Sequence, residues 1–181
     1  AGGNLSIHPG SKIIVQNGGV LKLSDDVEIN NGQIIIEDGG ELIYESAANL
    51  DFNQAGSSLL IQGKLHMKSG AILSVNSNGK VIFDQDIPWI TDPSTGSPIR
   101  DIASYLDIEP GAKLSLIGAN PSFKNQTILE IRKETIFKDD DQDVFDEVII
   151  QNGAIEIAPQ AFLFIASPLS VIDAEIRSSE P

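Results

Sequence analysis

The strongest constraint on the fold is a pattern that occurs twice, 21 residues apart. Residues 13–23 (IIVQNGGVLKL) and 34–44 (IIIEDGGELIY) share three apolar residues, two polar or acidic residues, Gly-Gly and a second short apolar segment. Similar segments recur about every seven to eight residues, separated by glycine-containing turns, so three of them fill one repeat. The predicted strands are LSI (5–7), IIV (13–15), VLKL (20–23), VEI (27–29), III (34–36), ELIY (41–44), LDF (50–52), LLI (59–61), LHM (65–67), ILSV (72–75) and VIF (81–83).

A repeat of three short strands favours an all-β β-solenoid with coils of about 21 residues. Each coil would stack on the previous one, parallel strand beside parallel strand, at about 4.8 Å. An antiparallel sandwich or barrel built from hairpins is the alternative, because hairpins also use Asn-Gly and Gly-Gly turns. A hairpin series does not require each strand to resemble the third one after it, whereas stacked coils place equivalent positions in the same environment. The repeat therefore favours the solenoid.

The pattern returns later in the chain, which predicts one continuous domain over residues 1–181. LSIHPGSKIIV (5–15) recurs as LDIEPGAKLSL (106–116), and IVQNGGVLKL (14–23) recurs as IIQNGAIEI (149–157). Two irregular loop insertions interrupt it. The expected order is regular coils at 5–83, a loop insertion at 84–105, coils at 106–132, an acidic loop at 133–147 and final coils at 148–173.

The segments LSIHPGSKIIVQNGGVLKL and LDIEPGAKLSLIG resemble the coils of right-handed parallel β-helices. The resemblance covers residues 5–83 well, and 106–118 and 148–173 more loosely. It implies a right-handed coil and a place among large secreted and surface proteins of bacteria, including adhesin-like proteins and secretion-system cargo. Because that family includes stalks, adhesins and polysaccharide-cleaving enzymes, the resemblance does not select an activity.

Charge and composition restrict the partners. The formal net charge is −14, which disfavours nucleic acid and anionic membranes. The absence of cysteine excludes a disulfide scaffold, a thiolate zinc site and a cysteine nucleophile. No apolar run approaches the roughly 18 residues of a membrane helix. The chain starts AGGNLS, without Met, which suggests a processed mature protein or a fragment, and both fit an exported protein.

The run DDDQDVFDE (139–147) is the one candidate metal site, for Ca²⁺. Asp139, Asp141, Asp143 and Asp146 are the expected ligands, since alternate carboxylates in a tight loop can surround a hard cation. The EF-hand pattern fails, because Val144 replaces its glycine and Ile150 its final glutamate. The alternative is a solvated acidic loop. No cofactor is required by any other motif.

The insertion at 84–105 holds the candidate ligand-binding residues Trp89, Asp92, Arg100 and Tyr105. An aromatic ring with polar neighbours can hold a sugar or a protein partner. The alternative is that Trp89 packs back onto the coils. The spacing of Ile99, Ile102, Ala103 and Leu106 predicts a short amphipathic helical turn in the same segment.

No catalytic residue is predicted. The carboxylate pairs Asp25–Asp26 and Glu37–Asp38 are candidates for acid–base chemistry, but they lack the clustered Asp, His and Arg or Lys of polysaccharide-cleaving β-helices. His8, at a turn, and His66, in a strand, are expected to be exposed side chains, and the alternative is that they bind a metal ion.

The sequence thus predicts a non-catalytic structural or adhesive module of an extracellular or cell-surface bacterial protein. Its expected partners are other segments of a longer chain, neighbouring copies, a glycan or a surface protein, with neither nucleic acid nor membrane insertion. The alternative is a carbohydrate-active β-helix protein, namely a polysaccharide lyase or hydrolase or a glycan-binding module.

Overall fold

The computed structural model is all-β and describes residues 5–45, 50–52, 56–76, 79–118, 127–133, 135–137, 145, 147–165, 168–172 and 174–178. Its strands are short, and one 3-10 turn, Ile102–Ser104, interrupts them. The strands are β1 Leu5–Ile7, β2 Lys12–Val15, β3 Val20–Leu23, β4 Val27–Ile29, β5 Gln33–Ile36, β6 Glu41–Tyr44, β7 Leu50–Phe52, β8 Ser58–Ile61, β9 Lys64–Met67, β10 Ile72–Asn76, β11 Lys80–Phe83, β12 Trp89–Thr91, β13 Pro98–Arg100, β14 Leu106–Ile108, β15 Lys113–Ile117, β16 Thr127–Ile131, β17 Thr135–Phe137, β18 Glu147–Gln151, β19 Gly153–Ile157, β20 Leu163–Ile165, β21 Leu169–Ile172 and β22 Glu175–Ser178.

The repeat sets the strand register. In β2 and β5, Ile13 pairs with Ile34, so the two copies of the opening pattern lie side by side in parallel. In β3 and β6, Leu21 pairs with Leu42 in the same way. Every strand predicted between residues 5 and 83 is confirmed, with ends that differ by at most one residue.

Several parallel sheets result, each joining strands that are distant in sequence. Among the described residues, every ladder except β12–β13 is parallel. The sheets are β1-β4-β7, β3-β6-β9-β14, β10-β15-β18-β21, β2-β5-β8-β11-β16-β19-β22, β17-β20 and the ribbon β12-β13.

The core follows from the alternation of side chains along each strand. In β5, Ile34 and Ile36 are fully buried, whereas Ile35 between them is half-buried. Buried residues from the larger sheets form one hydrophobic cluster. Each fully buried aliphatic side chain contributes about 1.5–3 kcal/mol, so this cluster supplies most of the stabilisation.

Both expected irregular insertions contain strands. Residues 84–105 include the antiparallel ribbon β12–β13, in which Ile90 pairs with Ile99. The predicted helical turn is reduced to the 3-10 turn, because Ile99 lies in a strand and Leu106 begins another. Four apolar positions are too few to separate helix from strand by periodicity. In the expected acidic loop, residues 135–137 form β17, which pairs with β20.

Candidate functional site

The ribbon β12–β13 is the main exposed element of the first insertion. Trp89 lies opposite Arg100 in its register, and the base is closed by a hydrogen bond from the Asp101 amide to the Pro88 carbonyl at 3.0 Å. Trp89 is 60% exposed, and Ile90 and Ile99 are also exposed. The ribbon therefore carries apolar side chains that the core does not cover.

Trp89 and Arg100 form a direct pair. The Arg100 Cζ lies 4.2 Å from the centroid of the Trp89 ring, a cation–π contact worth about 0.5–1 kcal/mol at an exposed site. Arg100 Nη1 also donates to the Ile87 carbonyl at 2.7 Å. The indole is thus held by Arg100, and at 60% exposure it does not pack into the core.

Asp92 has a structural role at the tip of the ribbon. Its carboxylate accepts hydrogen bonds from the Ser94 hydroxyl at 2.7 Å, the Ser94 amide at 2.8 Å and the Thr95 hydroxyl at 2.7 Å. These bonds, that of the Ser94 hydroxyl foremost, lower the pKa of Asp92 to about 2. The charged carboxylate is used to close the turn, so Asp92 does not join Trp89 and Arg100 in one site.

Tyr105 lies in a different depression, of about 360 Å³, which Asp38, Lys64 and Asp101 also line. Burial, reinforced by Asp38 and other nearby carboxylates, raises the pKa of the Tyr105 hydroxyl. The structure therefore brings together two of the four predicted ligand-binding residues, Trp89 and Arg100, and separates them from Asp92 and Tyr105.

A second depression, which sequence reasoning missed, lies beside Arg100. This cationic cleft has a volume of about 280 Å³, and its polar and charged lining residues are Gln85, Asp86, Arg100, Arg132, Lys133 and Gln160. Apart from Arg100, these residues follow the carboxyl ends of three neighbouring strands of the seven-stranded sheet, β11, β16 and β19. Since parallel strands end at the same edge, the residues after Phe83, Ile131 and Ile157 become neighbours.

The last hydrogen bonds at this edge of the sheet hold the backbone of the cleft. The Arg132 amide donates to the Phe83 carbonyl at 2.9 Å, and the Ala158 amide donates to the Ile131 carbonyl at 2.8 Å. The Arg132 Nε donates to Glu130 Oε1 at 2.6 Å. Lys133 Nζ lies 3.5 Å from Asp86 Oδ2, whose side chain is 93% exposed. Of the described residues, three cations and one solvated carboxylate therefore line the cleft.

Gln85 is the buried polar residue of the cleft, at 1% exposure. Its Nε2 donates to the Gly63 carbonyl at 2.8 Å and to the Tyr105 carbonyl at 3.0 Å, which fixes the orientation of the amide, because only the nitrogen can donate. Its Oε1 is buried without a hydrogen-bond partner among the described residues. Such an acceptor costs about 1–3 kcal/mol unless a donor reaches it.

A network of charges covers the outer side of β9 and β14. Glu109 accepts hydrogen bonds from Lys68 Nζ at 2.9 Å and the Ser69 amide at 2.9 Å, and lies 3.1 Å from His66 Nε2. These contacts, Lys68 foremost, lower the pKa of Glu109 to about 2. The His66 side chain is only 14% exposed, so the prediction of an exposed histidine is wrong, because neighbouring charged side chains cover it. His8 is exposed, as expected.

The remaining candidates form no assembled centre in the part of the chain that the structure describes. Asp139, Asp141, Asp143 and Asp146 lie outside the described residues, so the calcium prediction stays a prediction. Within the described part of the chain, no three His, Cys, Asp or Glu side chains are grouped to hold a metal ion. Asp25, Asp26 and Asp38 are exposed and Glu37 is half-buried.

In the described ranges, no helix has the length and apolarity needed to cross a membrane. Comparison with protein-family models, curated proteins and solved structures finds no match for this chain.

Proposed function

We propose that the chain is a structural module, namely a right-handed parallel β-helix with three strands per coil. This module holds the ribbon β12–β13 and the neighbouring cationic cleft in a fixed position. It would be a non-catalytic part of an extracellular or cell-surface bacterial protein, in the manner of an adhesin. The observation that carries the proposal is the register of the parallel ladders. β1, β2 and β3 each pair with the strand three later, and β4, β5 and β6 do the same.

The later strands support the same arrangement. The sheet that contains β2 and β22 has seven strands. They span about 29 Å at the usual strand spacing of about 4.8 Å, as expected if the coils continue to the end of the sheet. The 22 residues of the first insertion leave this sheet after β11. The sheet nevertheless continues directly from β11 to β16, so the insertion is carried on the side of a continuous scaffold.

The pKa values of the described carboxyl groups favour a binding role over a catalytic one. A polysaccharide hydrolase needs a carboxylic acid whose pKa is raised. The described carboxyl groups whose pKa departs clearly from the ordinary range, Asp92, Glu109 and Glu130, all have lowered values. The competing hypothesis is a carbohydrate-active β-helix protein. Of its two forms, the exposed Trp89 favours the glycan-binding module over the enzyme.

Excision of the ribbon tests the scaffold. The hydrogen bond between Asp101 and Pro88 places the two ends of residues 89–100 side by side, so a Gly-Gly link can replace them. We expect the far-UV circular dichroism and the amide-exchange protection of β11 and β16 to be retained. Loss of that protection would show that the ribbon is an integral part of the fold, contrary to the proposal.

An activity assay separates the structural role from the enzymatic one. The intact chain is incubated with neutral and acidic polysaccharides, with and without added Ca²⁺, and new reducing ends and unsaturated products are measured. The proposal predicts no release. Release that disappears in Asp25→Ala or Asp38→Ala would instead establish the enzymatic alternative.

A further inference from the structure

We propose that the cationic cleft between Gln85, Arg132 and Gln160 binds an oxyanion carried by a hydroxylated ligand, the chemistry of an acidic sugar residue. This inference rests on the proposed function, because it names what the scaffold presents its cleft to. The occupant is specified by charge, by the hydrogen-bonding groups of the lining and by the size of the cleft.

The sign of the charge is the first argument. The chain has a formal net charge of −14, yet Arg100, Arg132 and Lys133 meet at one cleft, and Asp86 is the only carboxylate among its described lining residues. A recess in which positive charges outnumber negative ones attracts an anion. An anion is therefore drawn to this place on a protein whose overall charge repels it.

The orientation of the cations is the second argument. The Arg132 guanidinium is positioned by its Nε bond to Glu130, which uses one of its five donors. Among the described residues, Lys133 pairs with the solvated Asp86 at 3.5 Å, and an exposed pair of this kind is worth little. Arginine and lysine so placed can each donate to one oxyanion, and guanidinium donors match carboxylate or sulfate oxygens in geometry.

Gln85 adds a requirement that a simple ion does not meet. Its Oε1 accepts from no described group, and the two carbonyl partners of Nε2 prevent the amide from turning round. A ligand hydroxyl that enters the wall of the cleft as far as this buried oxygen would supply the missing donor. The combination of an oxyanion and a hydroxyl in about 280 Å³ corresponds to one sugar acid or sugar sulfate unit.

The protein contains its own reporter for this site. Trp89 is the single tryptophan, and its ring stacks on the guanidinium of Arg100, which lines the cleft. A ligand that bonds to Arg100 changes the field at the indole. The full chain is therefore titrated with glucuronate, glucose 6-sulfate, glucose and inorganic sulfate at constant ionic strength, and tryptophan fluorescence and binding heat are recorded.

We expect glucuronate or glucose 6-sulfate to bind at least about tenfold more tightly than glucose, the factor of one charge-assisted hydrogen bond. Whichever of the two binds more tightly identifies the source of the oxyanion. Inorganic sulfate that binds as tightly as glucose 6-sulfate would reduce the site to an adventitious ion only and overturn the proposal. A short glutamate peptide that binds as tightly as glucuronate would also overturn it, since it lacks the hydroxyls.

Matched variants locate the binding. Arg132→Gln with Lys133→Gln removes two charges from the cleft, whereas Lys12→Gln with Lys22→Gln removes two charges from β2 and β3. We expect about a tenfold loss of affinity in the first and less than about twofold in the second. Equal losses in both would show a non-specific effect of net charge and refute the site.

Two further measurements keep folding separate from binding. Within the described part of the chain, Lys133→Gln alone removes one loose, exposed pair, so it is the fallback if the double variant fails to fold. Loss of affinity in that variant, with unchanged circular dichroism, supports the site, and unchanged affinity contradicts it. The ribbon-excision experiment reads the scaffold independently, so a failed titration with an intact excised fold rejects the cleft and leaves the proposed function standing.

Discussion

Gly63→Ala tests whether neighbouring repeats touch closely enough to require glycine at their corners. A Cβ at residue 63 would lie 2.2 Å from the Gly40 carbonyl oxygen and 2.4 Å from the Glu37 carbonyl oxygen. The Gly40 carbonyl also accepts a hydrogen bond from the Lys64 amide at 2.8 Å. The added methyl therefore meets backbone that is tied into the parallel ladder and cannot move aside as a side chain would.

The expected loss of stability is the balance of three terms. Overpacking of a tight site costs about 1–3 kcal/mol, and weakening the Lys64–Gly40 bond costs about 1 kcal/mol. The smaller conformational entropy of alanine in the unfolded chain offsets about 0.4–1 kcal/mol. The net loss is about 1–3.6 kcal/mol, or a fall in Tm of roughly 2–14 °C for a chain of this size.

Gly70→Ala is the matched control, measured by urea denaturation followed by circular dichroism. Gly70 has a φ of 74° and nothing within 4 Å of an added Cβ, so its substitution tests the left-handed backbone alone, at about 1 kcal/mol. Gly63→Ala should be the more destabilising of the two. If Gly63→Ala is no less stable than the parent chain, or no worse than Gly70→Ala, then close contact between repeats is not what requires this glycine.

Two further predictions concern charge and alternation. Because its folded pKa of about 2 lies below the ordinary 4.5, Glu109 should stabilise the fold above about pH 4.5 and lose this effect as the pH falls through about 2. An NMR titration of the carboxyl should show that pKa rising towards 4.5 in Lys68→Gln, and an unchanged value would contradict the assigned cause. Ile34→Ala should cost about 2–5 kcal/mol in urea denaturation, while Ile35→Ala, at the half-buried position beside it, should cost clearly less. Equal losses would contradict the assigned faces of β5.

The strands up to residue 83 could be predicted because their signals are local. Alternating apolar residues bounded by glycine turns define each strand without knowledge of its partners. The 21-residue offset then gives the partner, as the pairing of Ile13 with Ile34 shows. Parallel all-β character followed from these two facts alone.

The recurrence of residues 5–15 at 106–116 was a weaker guide to strand pairing, because the two similar segments lie in different sheets. Leu5–Ile7 pairs with β4, whereas Leu106–Ile108, its counterpart by sequence, pairs with β9 in another sheet. What the two segments share is the corner that follows, where Gly10 and Gly111 both have positive φ. The repeated segment therefore specifies a turn between two strands, and it does not specify which sheet those strands join.

The cationic cleft could not be predicted from spacing, since Arg132 follows Gln85 by 47 residues and Gln160 follows Arg132 by 28. Parallel strand pairing places these segments together, although the insertion between them is irregular. Phe83, Ile131 and Ile157 are consecutive partners in one sheet, so whatever follows each of them is brought to the same edge. A repeating scaffold of this kind turns positions that are unremarkable in the linear sequence into one lining. Residues just beyond aligned strand ends are therefore the places to examine for binding in such a chain, ahead of conspicuous charge runs.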